Sequence, residues 1–152
     1  MGSGPVRGRE AMIRGMAPRL DARRWHFCTA PDPDLAARAA PRALASFVED
    51  EGMSLILEEP AVREFGFDTA LPMARITLSV HSALDGVGLT AAVAGALADA
   101  GIPCNMVAAY HHDHAFVPAA DAERALAILQ GLAGAGEGAA AGEGAAAGGD
   151  GR

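Results

Sequence analysis

Lysine is absent. All 12 basic residues are Arg, set against 19 Asp and Glu, for a formal net charge of −7. A body this acidic repels a phosphate backbone, which disfavours nucleic acid as the main partner. The imbalance is also uneven: residues 1–24 carry six Arg against Glu10 and Asp21, and the rest carries six Arg against 17 acids. No aromatic side chain stands among the leading arginines to stack on bases, so no nucleic-acid partner is expected. Aromatics are scarce at 5%, and the only cysteines are Cys28 and Cys104. Two thiols complete neither a metal cage nor a disulfide framework, and both fall in apolar, strand-like stretches suited to buried reduced thiols. Neither has a cationic run beside it to lower its pKa, so neither reads as a nucleophile. No apolar run approaches the roughly 18–20 residues that span a bilayer, and no apolar stretch follows the first arginines as in a secretory signal. Walker, dinucleotide and G-x-S-x-G patterns are missing too. These absences point to a cytoplasmic protein with no membrane partner and no cofactor.

What is present falls into four stretches. Residues 1–10 form a Gly- and Arg-rich flexible leader, and residues 134–152 a tail holding 8 Gly and 7 Ala, in which Gly-Glu-Gly-Ala-Ala-Ala occurs twice in succession. Such a tail buries too little apolar surface to offset chain entropy and is expected to be disordered. Between them, residues 11–70 and 71–133 read as two units. In the first, Trp25 to Thr29 gives a short strand bounded by Pro31 and Pro33, and Asp34 to Leu44 a short helix interrupted by Pro41. The apolar runs Ala45 to Val48 and Met53 to Leu57 form a hairpin across Glu49-Asp50-Glu51-Gly52, and a further turn of helix from Pro60 ends at Gly66.

The second unit is clearer. From Ala74 to His81 the residues alternate, Ile76, Leu78 and Val80 on one face. A Gly-containing loop, Ser82 to Gly88, leads into a helix whose stripe is Leu89, Ala92, Val93, Ala96 and Leu97. Gly101 suits a left-handed cap, with Ile102 folding back on Leu97 and Pro103 stopping the helix. Strands follow at Cys104 to Tyr110 and His114 to Val117, then a helix from Asp121 with Ala125, Leu126, Leu129 and Leu132 on its buried side. This is the ferredoxin-like βαββαβ order of an α+β fold, lacking its last strand. An open edge invites pairing, so the first unit or another chain is expected to fill it.

Two constellations carry chemistry. At the first, bare amides of Gly88, Leu89 and Thr90 at a helix N-terminus suit a carboxylate, and Gly86 and Gly88 admit a ligand close to the backbone. Asp85 can accept from an α-ammonium, and Asn105 offers both donor and acceptor; the plainer reading is an ordinary polar turn. The second is His111-His112-Asp113-His114. In a strand, His112 and His114 share a face, and a hairpin can bring Asp113 or His81 near, the ligand count of an open zinc site. The spacing matches no standard zinc signature, and a hairpin tip also collects polar residues for structural or interface reasons.

The runs Ile76 to Thr90, Gly101-Ile102-Pro103-Cys104-Asn105, Tyr110 to His114 and Phe116-Val117-Pro118 resemble a bacterial family of small ACT-domain proteins. The resemblance extends from about Met12 to Leu132 and is weaker in the first unit. It implies two ACT-like units in tandem, distantly similar to those of arginine-sensing regulators, and a regulatory module that binds a small amino acid or related carboxylate and forms homo-oligomers. On that reading Ser82, Asp85, Gly86, Gly88, Leu89, Thr90 and Asn105 bind the ligand, and His81, His112, Asp113 and His114 are candidates for the pocket or for a metal. Binding would shift the arrangement of the two units. A small metal-dependent hydrolase using His112, His114 and a carboxylate is the alternative, and a ligand-free interaction module is a third.

Overall fold

The computed structural model describes residues 8–80 and 87–141, the last six as backbone alone. In chain order the elements are α1 (Arg9–Gly15), β1 (Pro18–Ala30), α2 (Pro33–Ala39), β2 (Ala45–Glu49), β3 (Gly52–Glu58), α3 (Glu59–Phe65), β4 (Met73–Leu78), α4 (Leu89–Asp99), β5 (Asn105–Ala108), β6 (Asp113–Pro118) and α5 (Ala122–Ala141). Local chemistry explains most boundaries. Asp32 caps α2 by accepting from the Asp34 amide, Pro33 fills its first turn, and Pro41 tightens its end into a 3-10 turn. Gly101 closes α4 with a positive φ, and the Ile102 amide returns to the Leu97 carbonyl at 2.9 Å.

The strands form one antiparallel sheet in the order β2-β3-β1-β4-β6-β5. Its middle pair explains the absent strand. The first part of β1 pairs with β4, Pro18 opposite Leu78 and Leu20 opposite Ile76, while its second part pairs Trp25 to Ala30 with Glu58 to Met53 of β3. Unit one is therefore β1-α2-β2-β3-α3 with β4 beside β1, and unit two is β4-α4-β5-β6-α5 with β1 beside β4. Each unit's first strand serves as the other's last. The edge expected to need a partner is filled by the first unit, and the two units cannot turn as separate beads.

Parity of register puts the helices on one side. Cys28 and Ala30 of β1, Leu55 and Leu57 of β3, Ala74, Ile76 and Leu78 of β4, and Ala115 and Val117 of β6 face them. Two cores result, one under α2 and α3 and one under α1, α4 and α5. Met12 and Met16, both fully buried in the second core, each contribute about 1.5–3 kcal/mol of burial.

The largest differences from the sequence expectation are three, beside shifts of a few residues at the ends of α2, β4, β5 and β6. Helix α1 opens at Arg9, inside the expected leader, because Met12 has a core to enter. Strand β1 starts at Pro18 and not at Trp25, since Arg19, Asp21 and Arg23 stand on the face away from the helices, where charge is tolerated, and β4 supplies the pairing. Helix α5 runs to Ala141, into the expected tail, where alanines favour helix strongly enough to outweigh Gly134, Gly136 and Gly138.

Candidate functional site

At the end of the sheet where β4 finishes, the chain passes through residues 79–88 into α4. Val80 is buried in the core under α1, α4 and α5. The α4 N-cap is Gly88, at φ 105° and ψ −9°, with no side-chain cap and no acidic residue in the first turn. Its carbonyl accepts the first helical bond from Ala92 at 3.0 Å, which leaves the amides of Leu89, Thr90 and Ala91 without an intrahelical partner. Glycine is required there twice over. Its φ disfavours any L side chain, and a Cβ would sit 2.9 Å from Cδ of Arg9. The aliphatic stem of Arg9 thus lies against the start of α4.

Asp113 opens β6 at the same end of the sheet. It pairs with Leu78 and Ala108 and faces the helix side, only 8% exposed. Among the described residues no hydrogen-bond donor reaches its carboxylate. Burial pushes its carboxyl up, partly offset by His112. With little exposure and no donor among the described residues, its charged form is disfavoured, and a bound cation would favour it.

The sequence candidates separate on this frame. His81, Ser82, Asp85 and Gly86 lie outside the described residues. Gly88 and Leu89 offer backbone at the α4 start, while the Leu89 side chain is buried in the core and faces no ligand. Thr90 is exposed in the first turn of α4. Asn105 is not brought here: it pairs with Phe116, on the sheet face away from the helices and near the opposite end of β5. The histidine run is also split by register. His114 faces away from the helices, sharing a 3.1 Å hydrogen bond with Thr77 Oγ1, whereas Asp113 faces toward them. His112 Nδ1 is buried with no hydrogen-bond partner among the described residues, and His111 stacks edge-on against Tyr110 at 5.0 Å. Among the described residues no three His, Cys, Asp or Glu converge on a metal-sized site. Both thiols are free; burial, with Asp68 nearby, pushes Cys28 up to about 11, and burial raises Cys104 as well.

Sequence reasoning missed Arg9 and Asp32. Nothing local to Arg9 marks it as a neighbour of Gly88, but Asp32 before Pro33 is a legible cap signal.

A sheet with all its helices on one face, built from two interlocked βαββαβ units, defines a ferredoxin-like regulatory fold. Residues 74–131 match the family model described as "ACT domain", and residues 9–74 match a second model with the same description. A Vibrio cholerae protein of unknown function, described as a possible transport protein, is 39% identical, with 82% of this chain and 94% of that chain covered and a TM-score of 0.72. The chain belongs to the ACT-domain family and carries two such domains in tandem. The ligand-free regulatory subunit of aspartate kinase from Thermus thermophilus shares the fold at 14% identity, covering 78% of this chain and 97% of that chain, with a TM-score of 0.55. The corresponding subunit from Thermus flavus is 19% identical, covering 78% and 96%, with a TM-score of 0.50. No curated protein matches the chain. ACT domains are ligand-binding regulatory modules and not catalytic ones. Among the described residues no helix is long and apolar enough to cross a membrane.

Proposed function

We propose that this protein is a non-enzymatic sensor of a small amino acid or closely related carboxylate, bound at the α4 end of the sheet. The ligand carboxylate takes the amides of Leu89 and Thr90, with Arg9 adding charge, and Ser82, Asp85 and Gly86 are its further contacts. Asp113 accepts the α-ammonium. One observation carries this reading: the uncapped start of α4 and the scarcely exposed Asp113, which has no donor among the described residues, lie at one end of one sheet, and a zwitterion suits both. The units share strands, so binding does not swing one unit against the other. Its signal passes instead through the crossover and α4 to another copy of the chain or a second protein, which fits a homo-oligomer whose response is a shift in assembly.

A thermal-shift screen of the twenty amino acids followed by calorimetry tests the reading. The expected result is a small set of stabilising amino acids whose affinity drops about tenfold or more in Asp113→Asn, the loss of a charged hydrogen bond. A screen with no stabilising amino acid defeats the sensor reading, and equal affinity in the variant removes Asp113 from the site.

A further inference from the structure

The sheet face away from the helices carries its own apolar centre, with Trp25, Ile56, Met73 and Phe116 buried there without any helix above them. Ala45 on β2 and Val107 on β5 both pack against this centre, so the two edge strands approach each other across it. A groove lies between them. One lobe, of about 210 Å³, is walled by Phe27, Ala45, Phe47, Ile56 and Val107. A smaller lobe of about 80 Å³ shares Ala45, Ile56 and Val107 with it and ends on His114 and Phe116. We propose that this groove is a second ligand site, distinct from the α4 site, for a small aromatic acid whose ring fills the larger lobe and whose acid group meets His114.

Size and lining select the ring. An apolar cavity of about 150 Å³ is enough to hold benzene, so the larger lobe has room for a phenyl or indole ring. Phe27 and Phe116 already meet edge to face at 5.3 Å, and a third ring beside Phe27 would extend that packing. Phe47, 70% exposed, gains cover from a bound ring.

Charge selects the acid and its direction. His114 engages Thr77 through Nδ1, which leaves Nε2 as its remaining ring nitrogen. On the neighbouring strands Arg23 and Arg75 share the carboxylate of Asp21, Glu58 stands beside Arg23 on the same face, and the charge of Arg75 reaches His114. Glu49 shares the face with Phe47 at the opposite end of the groove. An anionic head is therefore drawn toward His114 and away from Glu49.

Calorimetry of the full chain with indole-3-acetate, and with indole as its uncharged counterpart, tests this. Indole-3-acetate is expected to bind once per chain and about tenfold more tightly than indole, with His114→Gln removing that preference. Ala45→Trp fills the space common to both lobes and should abolish binding. Phe47→Ala, at an exposed position that the fold tolerates, should weaken it about tenfold even where Ala45→Trp does not fold. Asp113→Asn should leave it unchanged, so the α4 site can fail while this one stands. No saturation at millimolar probe overturns the proposal, as does binding that ignores both groove variants. Sedimentation showing a dimer that Phe47→Ala dissociates, without indole-3-acetate binding, also overturns it and gives the face to a second copy.

Discussion

The two units solve the same problem in opposite ways where their first strand gives way to their first helix. In unit one β1 ends at Ala30, and only Pro31 and Asp32 precede α2. Asp32 closes the helix with its own carboxylate, so an anion is already present in the chain. In unit two the crossover from β4 takes residues 79–88, and α4 opens on Gly88 with no side-chain cap among the described residues. A short, self-capped turn leaves a ligand neither space nor bare amides. A long glycine-ended one leaves both. The repeat thus holds one self-capped and one uncapped helix start, and the proposed function uses the uncapped one.

The largest test asks whether the copies are separate at all. Asp21, on the part of β1 that pairs with β4, bonds Arg23 at 2.9 Å and Arg75 at 2.6 Å, and both guanidiniums stack on Trp25 at 4.9 and 5.1 Å. Asp21→Asn should cost about 3 kcal/mol and lower one cooperative melting transition covering both units; two transitions would show that they fold apart. Burial pushes the Asp21 carboxyl up, but hydrogen bonds from Arg23 and the charge of Arg75 outweigh it and hold it well below the usual range. A depressed carboxylate stabilises fully at neutral pH and loses its contribution as pH falls below about 4, a loss the Asn variant should lack in acid titrations.

Next comes the end of the sheet with the uncapped start. Asp113→Asn should cost about 2 kcal/mol in amino-acid binding by calorimetry while raising the melting temperature of the ligand-free protein, because a carboxylate whose charged form folding disfavours is removed. The sign follows from its raised carboxyl: the charged form is disfavoured by folding, so its penalty grows as pH rises through the acid range. A variant that loses stability and keeps its ligand would assign Asp113 a purely structural role.

The self-capped start gives a smaller effect. Asp32→Ala should lower stability by about 1 kcal/mol in urea titrations through the lost cap, with amino-acid affinity and stoichiometry unchanged. A second binding event in this variant would show that the cap alone was keeping unit one shut. Smallest is a pH slope. Burial first, then Arg75 and His112, lower the His114 pKa, so stability should decline slightly as pH drops below about 6.5, and His114→Gln should flatten that slope.

Much of the scaffold was legible because local rules set it. Alternation from Ala74 predicted β4, the stripe from Leu89 predicted α4, and the acidic turn after Val48 predicted the β2–β3 hairpin, with Glu49 opposite Gly52. The first half of β1 was not legible. Arg19-Leu20-Asp21-Ala22-Arg23 has one large apolar residue and is extended because β4 lies beside it. The site divided in the same manner. Gly88 is marked by the crossover, whereas Asn105, expected beside it for its donor and acceptor groups, and His114, expected in the histidine cluster, both lie on the face away from the helices, because register sets which face each strand residue takes.

By itself the sequence determined the elements, the tandem ACT character and the glycine at the start of α4, since periodicity, caps and turns act within a few residues. Only tertiary structure decided that each unit completes the other's sheet, that the Arg9 side chain rests on Gly88, and that Asp113 faces the helix side with little exposure. Those outcomes depend on contacts between segments tens of residues apart, where packing and desolvation of the whole chain override local preference.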